Sequence, residues 1–199
     1  MRPFEPLVAI ALPVAQPNFD TDQILPARYL QKPRSEGFGE FLFRDLRYRK
    51  DGSEDPGFAL NQPPYRGARI VVAGRNFACG SSREHAAWAL VDHGFRAVIA
   101  PSFGDIFHSN ALKNGLLPVT LPGDVVRAML DRLVALPGSR IRVDLEAQIV
   151  TGPDGGAHAF AIDPFAKHCL LRGLDELDYT LAQLGHIEAY ERRLPAGSR

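Results

Sequence analysis

The sequence predicts an α/β fold in which a mixed sheet is covered by helices. Two observations support this prediction. Short β-branched runs alternate with helical patterns between residues 68 and 121, which is typical of parallel strands joined by helices. Two further strand patterns, at 140–150 and 157–162, are joined by a Gly/Pro turn and add strands of another direction.

The central segment supplies the strongest pattern. Each of its apolar runs is short and rich in alanine, valine and isoleucine, and glycines separate the runs from the helices. We predict, in order, a strand at Ala68–Ala73, a helix at Ser82–Asp92, a strand at Arg96–Ala100, a helix at Phe103–Asn114 closed by Gly115, and a strand at Leu116–Leu121.

The flanking segments complete one domain over residues 1–199. They predict a first strand at Leu7–Val14, a helix at Val125–Leu136, and a helical part that starts with Asp163 as N-cap and Pro164 at the first helical position. Residues 35–67 are rich in Gly, Pro, aromatic and charged residues. We predict a long excursion there, with a short helix at Phe38–Leu46, because long loops in compact domains often form lids or binding loops.

Composition excludes several classes of protein. Lys+Arg and Asp+Glu each total 23, so the chain lacks the basic excess of a nucleic-acid binder. Two cysteines are too few for a disulfide framework or an all-protein metal cage, which predicts reduced thiols and a cytoplasmic location. No stretch approaches the ~20 apolar residues of a membrane span, and Pro13 argues against a signal peptide.

The segment from Asn76 to His85 contains the main candidate functional residues. It follows a predicted strand and opens a predicted helix, where unpaired backbone N–H groups and the helix dipole favour anions. Gly80 permits a tight turn and close approach to a ligand. Ser81 and Ser82 add hydroxyl groups, and the fork of Arg83 suits a carboxylate.

A purely structural interpretation of the same residues stays open. Ser81-Ser82-Arg83-Glu84 also has the spacing of a capping box, as does Ser102-x-x-Asp105 before the next helix, where the structural reading is preferred. Cys79 and His85 could form a nucleophile pair, although packing roles suit them better.

Several segments of the sequence resemble those of a known protein family. Gly74 to Val119 resembles the defining region of the aconitase swivel domain, and within it the bacterial small subunits of 3-isopropylmalate dehydratase. Asp20 to Ala27 and the run YLQK with GFG after it match the same family, so the resemblance extends from about residue 18 to 178. Ala78 is a departure, because the family more often has glycine there.

The resemblance implies a swivelling β/β/α domain of the aconitase type that closes over a large catalytic subunit. That partner would hold a [4Fe–4S] cluster, and this chain would bind no metal. Ser81 would be the base and Arg83 would bind a carboxylate of a small dicarboxylate substrate. Ser82 and Gly80 would support them, with Asp22 as an active-site carboxylate and Arg34 as a second carboxylate-binding arginine.

Other functions stay open at this stage. Within the family, the substrate could instead be homoaconitate, citraconate or dimethylmalate. Outside it, the Gly80–Arg83 loop could belong to a stand-alone anion-binding module or to an interaction scaffold without activity. For single residues, Asp22 could form an Asx-turn and Arg34 could be a solvated loop charge.

Overall fold

The computed structural model describes residues 1–81 and 83–193 of the chain. In these residues, seven strands form one sheet: β1 (Leu7–Val14), β2 (Ile70–Ala73), β3 (Ala97–Ala100), β4 (Leu117–Thr120), β5 (Arg140–Asp144), β6 (Ile149–Thr151) and β7 (Ala157–Ala159). Their order is β4-β3-β2-β1-β5-β6-β7. The first four pair in parallel, and the last three continue from β1 as antiparallel neighbours. The predicted α/β class with a mixed sheet is confirmed.

Eight α-helices accompany the sheet within the described residues: α1 (Thr21–Ile24), α2 (Arg44–Arg47), α3 (Glu84–His93), α4 (Asp105–Lys113), α5 (Gly123–Ala135), α6 (Pro164–Arg172), α7 (Glu176–Ala182) and α8 (Leu184–Glu191). No helix of this described part is long and apolar enough to cross a membrane.

Both faces of the parallel strands are buried, which explains their continuous apolar sequence. Val71 and Val98 point to the face that α3 and α4 cover, whereas Ile70 and Ile99 point to the face that α5 covers. Successive side chains of a strand alternate in this way between the two faces of a sheet. Two apolar clusters therefore hold the sheet rigidly, and the loops at the ends of its strands start from fixed positions.

The segment 35–67 contributes to the core as well as to the surface. Its 3-10 helix Phe38–Phe41 ends with Leu42 as C-cap, and α2 begins after Phe43, which has a left-handed φ of 51°. The single predicted helix at 38–46 is therefore two short ones. Phe38, Leu42 and Phe43 are fully buried, so this segment packs firmly against α3.

The predicted strand 140–150 is wrong as one element, because the chain reverses within it. Asp144 Oδ1 accepts a hydrogen bond from the Ala147 amide at 3.0 Å, and Gln148 has a φ of 55°. This turn separates β5 from β6 and pairs them antiparallel. By contrast, the predicted Asp163 N-cap is confirmed, since its carboxylate accepts from the Ala166 amide at 2.9 Å.

Neither predicted serine cap is present. The N-cap of α3 is Arg83, and that of α4 is Gly104; neither residue makes a side-chain capping bond. Ser102 instead uses its hydroxyl as an acceptor for the Asn76 amide, at 2.9 Å. Its sequence spacing resembles a capping box, but its side chain joins two loops.

Candidate active site

The loops that follow β1, β2 and β3 meet at the carboxyl end of the parallel strands. Asp20 forms a parallel bridge with Cys79, and Phe77 forms one with Phe103. The Thr21 amide donates to the Cys79 carbonyl at 3.0 Å. Residues that lie some 60 positions apart in the sequence are thus joined by backbone hydrogen bonds, and the loop 76–83 has a fixed shape.

The same loop carries an unusual backbone. Asn76, Ala78 and Gly80 have φ angles of 59°, 57° and 97°, all in the left-handed region. Glycine adopts this region freely, whereas alanine does so at a cost of about 1–2 kcal/mol. Ala78 is buried and its amide donates to the Phe19 carbonyl at 2.6 Å, so the surrounding structure imposes its conformation.

Gly104 lies directly beneath the loop. A Cβ atom at this position would stand 2.6 Å from the carbonyl oxygen of Ala78. Its amide also donates to the Phe77 carbonyl at 2.9 Å. Two backbones approach here so closely that only glycine fits.

Ser81 lies at the exposed end of this loop. Its carbonyl oxygen accepts from the Arg83 amide at 2.9 Å and from the Thr21 hydroxyl at 3.3 Å. The backbone of this exposed residue is therefore held from two sides. Ser82, the other serine predicted for the site, lies outside the described residues.

Arg83 and Asp22 form a bidentate ion pair. Nη1 of Arg83 lies 2.5 Å from Oδ1 of Asp22, and Nη2 lies 3.2 Å from Oδ2. The Arg83 side chain is only 17% exposed, whereas that of Asp22 is 55% exposed. Asp22 Oδ1 also accepts from the Ala27 amide at 3.1 Å. Two of the predicted site residues are thus brought together, next to Ser81 and Gly80.

Arg34 lies elsewhere, on the outer side of α3. Its Nη1 donates to Asn114 Oδ1 at 3.2 Å, and its Nη2 lies 3.5 Å from Asp92 Oδ1. The guanidinium also stacks over Trp88, 4.8 Å from the ring centroid. Among the described residues, Arg34 contacts α3 and the end of α4 and makes no contact with Asp22 or Arg83.

Sequence reasoning missed Asn114. Its Nδ2 donates to Glu84 Oε1 and to the Asn110 carbonyl, both at 2.9 Å, while its Oδ1 accepts from Arg34. Asn114 thereby connects three segments, one of which starts at the residue after Arg83. A single asparagine before a glycine gives no sequence signal for such a role, because it is typical of an ordinary helix end.

None of the contacts between described residues joins Cys79 to His85, so the two do not form a nucleophile pair there. Cys79 is half-buried, and its backbone bridges to Asp20. The His85 ring packs against Trp88, with centroids 4.5 Å apart, and against Phe38 at 5.4 Å. These contacts agree with the packing interpretation of both residues.

Comparison with known proteins identifies the family. The aconitase C-terminal domain model matches residues 1–124, and a second model, described as LeuD_N, matches residues 127–164. The chain is 47% identical to the 3-isopropylmalate dehydratase small subunit of Dinoroseobacter shibae over 196 residues, which is 98% of each chain. It is 50% identical to that of Paramagnetospirillum magneticum over 191 residues, covering 96% of this chain and 95% of the relative.

A solved structure supports the fold independently. The crystal structure of 3-isopropylmalate dehydratase from Methanocaldococcus jannaschii superposes with a TM-score of 0.66, covering 94% of this chain and 99% of that one at 24% identity. The predicted aconitase-type fold is confirmed by this agreement. The chain therefore belongs to the family of 3-isopropylmalate dehydratase small subunits, within the aconitase C-terminal domain family.

Proposed function

We propose that this chain is the small subunit of a heteromeric hydro-lyase of leucine biosynthesis. The enzyme isomerises 2-isopropylmalate to 3-isopropylmalate through 2-isopropylmaleate, and it acts only with its large subunit. The observation that carries the proposal is identity of 47% and 50% over nearly the whole chain to proteins named as this small subunit. The cytoplasm is the predicted location.

The metal chemistry belongs to the partner in this proposal. Among the described residues, no group of three His, Cys, Asp or Glu could hold a metal ion. The chain has two cysteines, and we assign the [4Fe–4S] cluster that the family resemblance implies to the large subunit. The contribution of this chain is then made by its own side chains at the loop 76–83.

Ser81 is the proposed base. As the alkoxide, it takes a proton from the substrate carbon next to a carboxylate, the C–H electron pair becomes the second bond of the alkene, and hydroxide leaves the adjacent carbon. In the second half of the reaction, hydroxide adds to the carbon that lost the proton, and the Ser81 hydroxyl returns its proton to the carbon that lost the hydroxyl group. A serine needs its alkoxide stabilised for this step, and the nearby positive charge of Arg83 supplies such stabilisation.

Arg83 is the proposed carboxylate ligand, oriented by Asp22. The ion pair uses one N–H on each Nη atom. A guanidinium has five N–H donors, so the contacts with described residues leave other donors of Arg83 for a substrate carboxylate while Asp22 fixes the plane of the group. Gly80 gives the loop room for the substrate, and Ser82 is proposed to donate a supporting hydrogen bond.

Arg34 stays a predicted substrate-binding residue. To reach a substrate beside Arg83, its guanidinium would have to leave Asn114 and Asp92, which it contacts at 3.2 and 3.5 Å. Its side chain is 45% exposed, so such a movement does not require the core to open.

The test is hydration of 2-isopropylmaleate, followed by loss of its near-ultraviolet absorbance under anaerobic conditions. This chain alone, a cluster-loaded large subunit alone, and the mixture are compared; we expect turnover only in the mixture. Parallel assays with homoaconitate, citraconate and dimethylmaleate test the related reactions. Turnover of one of these in place of 2-isopropylmaleate would replace the proposed substrate.

Ser81→Ala tests the base. Loss of a general base typically lowers turnover by about 10²–10⁴-fold, and we expect a loss of that size without weaker subunit association. Ser109→Ala is the matched control, because Ser109 is an exposed serine on α4 whose hydroxyl donates to the Asp105 carbonyl of the same helix. Unchanged turnover of Ser81→Ala would exclude Ser81 as the base.

A further inference from the structure

Three arginines line a cavity of about 280 Å³ near the amino-terminal ends of β2 and β3, away from the loop 76–83. Arg69 directly precedes β2, Arg96 directly precedes β3, and Arg2 belongs to the N-terminal segment. The candidate active site follows the other end of β2. Because β2 spans four residues, about 13 Å of strand separates the two ends.

Arg96 is held in place by the N-terminal segment. Its Nη2 donates to the carbonyl oxygens of Arg2 and Pro3, at 3.1 and 3.0 Å. Its guanidinium also lies 5.6 Å from the centroid of the Phe4 ring, which is only 3% exposed. The described residues provide no acceptor for its Nε and Nη1 groups, so these donors stay available to a ligand.

The positive charges of this cavity are not balanced by the protein. Burial lowers the pKa of Arg96, and repulsion from Arg69 and Arg2 lowers it further, while Glu5 acts in the opposite direction. Neither Arg2 nor Arg69 forms an ion pair within the described residues. Three arginines against one glutamate leave two positive charges in excess at the cavity.

We propose that this cavity binds a small anion with two or more negative charges, of the class of a phosphate or a polycarboxylate. Such a ligand would offset the repulsion among the three guanidinium groups and accept charge-assisted hydrogen bonds from them. The volume lies just below the range of about 300–1,000 Å³ typical of small-molecule sites, which suits a compact anion. The site is separate from Ser81 and Arg83 and does not depend on the function proposed for them.

The experiment is calorimetric titration of the full chain with inorganic phosphate and, separately, with citrate. The Arg83→Gln variant is titrated in parallel, because the candidate active site could itself bind either anion. We expect one saturable equivalent that Arg83→Gln retains. The anion that binds more tightly identifies the class, phosphate or polycarboxylate.

Arg69→Gln removes one of the three charges from an exposed position, where the fold does not depend on it. We expect affinity to fall by about tenfold or more, the effect of losing a hydrogen bond to a charged group. Arg142→Gln is the matched control, since Arg142 is also exposed but pairs with Asp144 on β5. Absence of saturable binding, loss of binding in Arg83→Gln, or an equal loss in Arg142→Gln would each overturn the proposal.

Discussion

Replacing Asn114 with alanine removes the hydrogen bonds that join the end of α4 to Arg34 and to Glu84. The bond with Glu84 is 2.9 Å long and the bond with Arg34 is 3.2 Å long, and both partners are charged. A third bond, to the Asn110 carbonyl, is lost as well. Glu84 follows Arg83 directly, so the change acts on the first turn of α3.

The expected loss of stability follows from the hydrogen bonds that Asn114 makes. Hydrogen bonds to charged groups contribute about 1.5–3 kcal/mol, but water can replace part of these because Arg34 is 45% exposed. We therefore expect the free energy of unfolding to fall by about 2 kcal/mol in total. In a chain of this size that corresponds to a Tm lower by roughly 4–8 °C. In the assembled enzyme, we expect kcat/KM to fall about tenfold through misplacement of Arg83.

Thermal unfolding and steady-state kinetics check this prediction. Asn110→Ala is the control, because Asn110 takes part through its backbone oxygen, which truncation of the side chain keeps. Glu84→Gln keeps an acceptor oxygen for Asn114 and should restore most of the activity that Glu84→Ala loses. A Tm of Asn114→Ala within about 1 °C of the unchanged chain would refute the reasoning.

Four further changes follow from the site and its surroundings. Gly104→Ala should disorder the loop, since its Cβ would meet the Ala78 carbonyl at 2.6 Å; we expect activity lost and thermal unfolding several degrees lower. Ala78→Gly should instead raise the free energy of unfolding by about 1 kcal/mol, and a lower value in urea titration would contradict the assigned backbone strain. Asp22→Asn should raise KM by about tenfold by loosening Arg83, with Asp124→Asn on α5 as control; an unchanged KM would show that Arg83 needs no such support. Burial lowers the pKa of His93, so the folded chain resists protonation while the unfolded chain binds a proton near its ordinary pKa of about 6.5. Stability is therefore complete above about pH 6.5 and falls as the pH drops toward the lower folded pKa; urea titrations at about pH 7.5 and 5.5 should show this fall, and His93→Gln should lessen it.

The sequence predicted strands well where burial on both faces leaves a continuous apolar run, as at β2 and β3. It failed at residues 144–148, where one Asx turn reverses the chain inside a run that otherwise alternates like a single strand. It also failed at the start of α4, because Ser102 has a capping residue's spacing but bonds to another loop. Local patterns cannot predict the role of Ser102, since its partner, Asn76, lies 26 positions away in the chain.

For the candidate site, too, sequence reasoning predicted some contacts and missed others. Family resemblance grouped Asp22 with Arg83, and the two form an ion pair across 61 positions of sequence. No pattern indicated that Arg34 would contact Asn114, 80 positions away, or that Asn114 would also reach Glu84. Contacts of this kind depend on how loops pack against helices in the folded protein. The periodicity and spacing of residues do not determine this packing.

The residues that fix the conformation of the loop 76–83 differ from the residue that is proposed to carry out its chemistry. The conformation is set from below, by Gly104, the buried Phe77 and the backbone bonds to the loop after β1. Among the described residues, none of the hydrogen bonds that support the loop uses the Ser81 hydroxyl, so we expect its truncation to leave the scaffold intact. Substitutions at Ser81 are therefore expected to report on the reaction itself, and this position can be varied to seek new chemistry without rebuilding the loop.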